Sequence, residues 1–101
     1  MHHLKPDVVA RIHLYRTEDG GRGNTIIGAR FGCPFVYDDE AFDCRILLDQ
    51  FGTSLAPGQT AQVAIKFLNP EFVKPRLQIG SRFKLWEGKA FADGEVLEIV
   101  S

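Results

Sequence analysis

Apolar residues recur at every second position along most of this chain, and no other feature restricts its fold as much. Val8, Ala10, Ile12 and Leu14 alternate with Val9, Arg11, His13 and Tyr15, and Phe42, Cys44, Ile46 and Leu48 alternate with Asp43, Arg45 and Leu47. Ala61, Val63, Ile65 and Phe67 repeat the pattern, as do Leu77, Ile79, Ser81, Phe83 and Leu85. A period of two sends successive side chains to opposite faces of a strand, so each run has one face to bury. The helical period of 3.6 is almost absent, which makes the chain all-β. A final strand runs from about Ala90 to Val100, and its apolar phase slips at Asp93-Gly94. Such a slip predicts a β-bulge, which adds the curvature a barrel needs to close.

Turn signals separate these runs: Glu18-Asp19-Gly20-Gly21-Arg22-Gly23-Asn24, Ala56-Pro57-Gly58-Gln59, Asn69-Pro70 through Lys74-Pro75, and Glu87-Gly88-Lys89. Each predicts a chain reversal. Without a repeat or a linker, six or so short strands form one small sandwich or barrel, and closure removes the exposed edges that invite aggregation. A length of 101 residues with 45% hydrophobic content fits a single domain over residues 1–101 that folds without a staple. The expected core is Val8, Ile12, Leu14, Ile46, Leu48, Val63, Ile65, Phe67, Leu77, Ile79, Phe83, Leu85 and Val96.

A two-residue hairpin tip at Asp38-Asp39 would set Tyr37 against Glu40, Phe35 against Phe42 and Cys33 against Cys44. A disulfide is geometrically feasible at the last pair, but a cytosolic chain keeps its thiols reduced, and the expectation is two half-buried small side chains. The two cysteines have neither CxxC spacing nor a histidine cluster, so no zinc site is expected.

Charge and motifs exclude more than they assign. Twelve Lys and Arg stand against thirteen Asp and Glu, a net charge of -1, and the basic residues are scattered singly. A field that draws in polyanions needs clustered bases. No run approaches the ~20 apolar residues that span a bilayer, so the expectation is a cytoplasmic protein with no membrane partner. Gly20-Gly21-Arg22-Gly23 lacks both phosphate-binding glycine patterns and leads into a strand, so it reads as a hairpin tip and no nucleotide is expected. Ser54 and Ser81 lie in no nucleophile motif, His13 is on an outward phase, and His2-His3 is too small a set to hold a metal. The run Asp38-Asp39-Glu40 suits a turn and lacks calcium-loop spacing. No catalytic residue, cofactor or metal is nominated, and the chain is not expected to be an enzyme. Most aromatic residues fall on core phases. Trp86 is out of phase with Phe83 and Leu85 beside the Glu87-Gly88 turn, so its indole is expected at least partly exposed.

Ordered motifs add a resemblance. Val8-Val9-Ala10-Arg11-Ile12-His13-Leu14-Tyr15 enters Glu18-Asp19-Gly20-Gly21-Arg22, followed by Ile27-Gly28-Ala29-Arg30, Pro57-Gly58-Gln59-Thr60 and Leu68-Asn69-Pro70. The series closes on Arg82-Phe83-Lys84-Leu85-Trp86-Glu87-Gly88-Lys89-Ala90-Phe91-Ala92-Asp93-Gly94-Glu95-Val96. In this order, over nearly the whole chain, they resemble the third domain of elongation factor Tu and related translational GTPases. The resemblance implies a six-stranded antiparallel Greek-key barrel. It implies binding rather than hydrolysis, because nucleotide chemistry in those factors belongs to a separate P-loop domain. That third domain packs on the GTPase domain, contacts the T-stem of aminoacyl-tRNA and meets an exchange factor.

Position by position, Glu87 and Gly88 match the family's Glu-Gly turn near the T-stem, and Arg22 matches its hairpin arginine. Trp86 stands where the family has an arginine, and Gly32 and Ala41-Phe42 replace its glutamine and threonine. Phosphate and ribose groups would lose those donors. The leading expectation is therefore a stand-alone protein-binding module, with candidate binding residues Arg22, Arg30, Trp86, Glu87, Gly88 and Lys89. The alternative is a module that binds tRNA or rRNA.

Overall fold

The computed structural model describes residues 4–51 and 54–101. His2 and His3 lie outside the described residues. Strands β1 (Val8–Leu14), β2 (Ile26–Ile27), β3 (Arg30–Tyr37) and β4 (Glu40–Leu47) lead to a short helix α1 (Leu48–Phe51). Then come β5 (Ser54–Leu55), β6 (Thr60–Phe67), a second short helix α2 (Pro70–Val73), β7 (Arg82–Trp86) and β8 (Ala90–Ile99). Six of the strands close into an antiparallel barrel in the order β1-β6-β4-β3-β7-β8, with β8 returning to β1. The alternation left a small sandwich or a barrel open, and the closed all-β barrel is the observed fold. Among the described residues, strands β2 and β5 pair only with each other, in a two-stranded sheet separate from the barrel.

The hairpin β3-β4 has the expected register, with Tyr37 opposite Glu40, Phe35 opposite Phe42 and Cys33 opposite Cys44. Asp38 and Asp39 have φ of 54° and 63°, the left-handed pair that matches a two-residue turn to strand twist. With this loop, Tyr37 and Glu40 exchange hydrogen bonds, and the alternation along the ladder turns the Pro34 nitrogen away from β4 and toward β7. Proline has no N–H to donate there. The seam between β3 and β7 accordingly holds two residue pairs, Phe35 with Leu85 and Val36 with Lys84, and ends before Trp86. The ladder joining β1 to β8 runs to seven pairs.

Three rings fill the barrel centre. Phe35 stacks on Phe83 at 4.2 Å and meets Phe67 edge-on at 4.9 Å, and all three are buried. Gly94 faces inward among them, and a Cβ there would collide with the Phe83 ring. This corrects the expected bulge. Asp93 and Gly94 pair regularly with Lys84 and Phe83, so the apparent slip is an inward position left empty for a neighbouring ring. The register shifts instead lie between Leu85 and Trp86, where β8 carries the extra Phe91, and between Val9 and Ala10, where it carries the extra Leu97.

Two further expectations are overturned. Ile79 is 72% exposed rather than core, because the strand begins at Arg82 and residues before it form a turn in which the Ser81 amide donates to the Gln78 carbonyl. Residues 18–24 are not a hairpin tip: β1 pairs with β6 and β8, and the chain beyond Leu14 forms a 3-10 turn at Thr17–Asp19 and a loop that reaches the ends of β3 and β8. The remaining expected core residues are all buried. The cysteines are buried too, more completely than the half-burial expected.

Candidate functional site

Arg22 organises one end of the barrel. Gly21 before it presses against the Tyr15 carbonyl so closely that a Cβ would collide, and its amide donates to the Arg16 carbonyl. The Thr17 hydroxyl donates to the Arg22 carbonyl at 2.7 Å. So fixed, the guanidinium lies over Phe31 at 5.0 Å and Phe91 at 5.8 Å, two rings that meet edge-on. It donates to the Glu87 carboxylate at 2.7 Å, and the Arg22 side chain is only 19% exposed. A desolvated guanidinium on aromatic faces contributes up to about 2 kcal/mol. Arg22 is thus a clamp joining a loop, two strands and the β7-β8 turn, with little surface left for a partner.

The other candidate residues divide around this clamp. Glu87 and Arg22, 65 positions apart, are in contact, as a shared site requires. Gly88 has φ 74° and lets the chain reverse, and the Glu87 amide donates to the Lys89 carbonyl at 2.8 Å across the turn. Lys89 is exposed, and Trp86, the last residue of β7, is 41% exposed on the outer face as its phase predicted. Arg30 is exposed at the start of β3, where it lies opposite Leu47, and among the described residues its side chain makes no ion pair.

The far end of β3 holds a second cluster that no sequence motif indicated. Arg76 lies over Phe42 at 5.5 Å and Tyr37 at 5.9 Å and pairs with Asp38 and Glu40, each at 3.0 Å. Desolvation opposes its charge, but hydrogen bonds to Glu40 and Asp38 outweigh that and raise its pKa. The carboxylate run was visible as a turn. Its partner was hidden because Arg76 is a single base between Pro75 and Leu77, 38 residues beyond Asp38.

Among the described residues no three His, Cys, Asp or Glu side chains gather to hold a metal ion, and no helix is long and apolar enough to cross a membrane. The candidate face offers a half-exposed indole, a carboxylate held by an arginine and an exposed lysine. That chemistry supports recognition. No protein family model matches the chain, and no curated protein matches it.

Proposed function

We propose that this chain is a non-enzymatic binding module, similar to the third, Greek-key barrel of elongation factor Tu, that takes a protein partner through the face around Trp86, Glu87 and Gly88, which Arg22 holds in place. The observation that carries the reading is Trp86, a large ring 41% exposed beside a turn that the Arg22–Glu87 pair holds in place. Tryptophan is the residue most enriched among interface hot spots, and a prepaid geometry lowers the ordering cost of binding. The resemblance supplies the partner class, a cytoplasmic protein that meets translation factors.

The test is capture of partners from cytoplasm by the wild-type chain and by Trp86→Ala. Hot-spot truncation at ~2 kcal/mol or more corresponds to about a thirtyfold loss of affinity at ~1.4 kcal/mol per decade. The variant should keep its circular dichroism and melting temperature. Unfolding of Trp86→Ala would make the indole a core element and end this reading.

One observation favours RNA as the second reading. Arg45 lies directly opposite Lys66 and over Gly32, with Arg30 on the same outer face, and none of these bases has an ion pair among the described residues. Like charges directly opposed across a ladder are destabilising, and a bound phosphate would relieve them. An RNA partner would be lost with RNase and fall steeply between roughly 50 and 200 mM salt. Capture insensitive to both would leave the protein-partner reading alone.

A further inference from the structure

Cys33 and Cys44 face each other inside the barrel wall. They are directly opposed in the β3-β4 ladder, their sulfurs are 4.0 Å apart, and both are free and buried. The two-residue loop makes Tyr37–Glu40 a hydrogen-bonded pair, and counting back along the alternation makes Cys33–Cys44 one as well. Such pairs have Cα atoms about 5.5 Å apart, inside the roughly 4.4–6.8 Å span of protein disulfides. The Cβ atoms of a hydrogen-bonded pair lie nearer about 5.5 Å than the roughly 3.5–4.5 Å of a disulfide, so bond formation needs side-chain rotation and a local approach of the two strands, but no change of register.

We infer that Cys33 and Cys44 form a site of reversible oxidation, in which a low-molecular-weight disulfide of the glutathione class converts the dithiol to an intramolecular disulfide. The Cys33 thiolate attacks one sulfur of the reagent, forming a mixed disulfide and releasing one thiolate. The Cys44 sulfur, after losing its proton, then attacks the Cys33 sulfur, forming the Cys33–Cys44 bond and expelling the second thiolate. Two protein thiols are oxidised by two electrons, and one reagent disulfide is reduced to two thiols.

The fold decides which sulfur reacts first and when. Cys33 adjoins Pro34, where the seam between β3 and β7 stops, whereas Cys44 lies one strand further in, between β3 and β6. Cys33 retains 6% exposure and Cys44 none. The hydrogen bond with Cys33, followed by burial, holds the Cys44 thiol well above the ordinary range, so it remains protonated while the barrel is closed. Thiol exchange proceeds through the thiolate and requires access. The two-pair seam is the shortest closure in the barrel wall, and parting it uncovers Cys33 while the long β1-β8 ladder stays paired.

The experiment incubates the folded chain with oxidised glutathione and follows mass and thiol content after quenching in acid. The expected product has lost both thiols and two hydrogen atoms of mass. It should form no faster than the amides of Val36 and Lys84 exchange with deuterium, yet ahead of amide exchange in β1. Cys44→Ser should stop at the mixed disulfide on Cys33, and Cys33→Ala should leave Cys44 unreacted while β1 remains protected. Retention of both thiols, a mixed disulfide that persists in the unsubstituted chain, or oxidation only as fast as β1 exchanges would each overturn the inference.

Discussion

Two ends of one strand carry the same device with different surroundings. At the start of β3, Arg22 covers Phe31 and Phe91 and pairs with Glu87; at its far end, Arg76 covers Phe42 and Tyr37 and pairs with Asp38 and Glu40. The Arg22 side chain is 19% exposed and one of its rings, Phe91, is fully buried. The Arg76 side chain is 32% exposed and both its rings are only partly buried. The Arg22 end ties down a glycine-rich loop that has few apolar anchors of its own, while the Arg76 end decorates a hairpin already held by a full ladder. The same interaction is therefore a fastening at one end and a surface network at the other.

The strongest way to break this comparison is to remove a ring from each end. Phe91→Ala should cost about 3–5 kcal/mol of unfolding free energy, because a fully buried ring leaves a cavity, and Phe42→Ala clearly less. Ile65→Ala, in the barrel interior, gives a reference cost of about 2–5 kcal/mol. Equal losses for Phe91 and Phe42 in urea titrations would mean the two ends are equivalent.

Removing the cations sharpens the point. Arg22→Ala should destabilise by about 1–2 kcal/mol, the worth of a desolvated guanidinium over aromatic rings, largely independent of added salt. Arg76→Ala should lose less, and that loss should shrink further at high salt, since exposed ion pairs are screened. A larger, salt-insensitive loss at Arg76 would reverse the assignment of fastening and network.

A smaller effect is expected at the hairpin tip. Asp39 has φ 63° and no ion pair among the described residues, so Asp39→Gly should stabilise by up to about 1 kcal/mol by removing left-handed strain. Asp38→Gly relieves similar strain but forfeits the bond to Arg76, so its melting temperature should rise less or fall. A greater gain at position 38 would show the Arg76 network to be worth nothing.

The smallest effect lies between the two ends. The Lys84 ammonium donates to the Tyr15 hydroxyl at 3.0 Å, and this bond, with the attraction of the Tyr15 oxygen, raises its pKa above the ordinary 10.5 against a lesser desolvation cost. A raised amine contributes its stability fully below pH 10.5 and loses it as pH climbs through the folded value. The stability of the wild-type chain relative to Lys84→Met should therefore fall above pH 10.5 and be constant below it; a flat difference throughout would discard the contact.

Where sequence reading succeeded, the information was local. Alternation gave the strands because each residue's face depends only on its neighbours, and the Asp-Asp tip gave the β3-β4 register because a two-residue turn leaves no freedom. Trp86 was legible as an outward ring for the same reason. Gly94 misled because an inward glycine looks like a lost phase until Phe83 is seen to occupy its space. Ile79 misled because alternation continues into a turn that no ladder supports. Arg22 was legible as a candidate but not as a clamp, since Phe31, Phe91 and Glu87 are distant in sequence.

By itself the sequence determined an all-β fold, most of its inward residues, one hairpin and an exposed indole. Pairing over long separations was left to tertiary structure: the closure of β8 on β1, the two-pair seam at Pro34, and the pairs Arg22–Glu87 and Arg76–Asp38. The physical reason is that strand periodicity is written in each residue and its nearest neighbours, whereas the partner of a buried ring or a guanidinium is fixed only when separate strands compete for one interior.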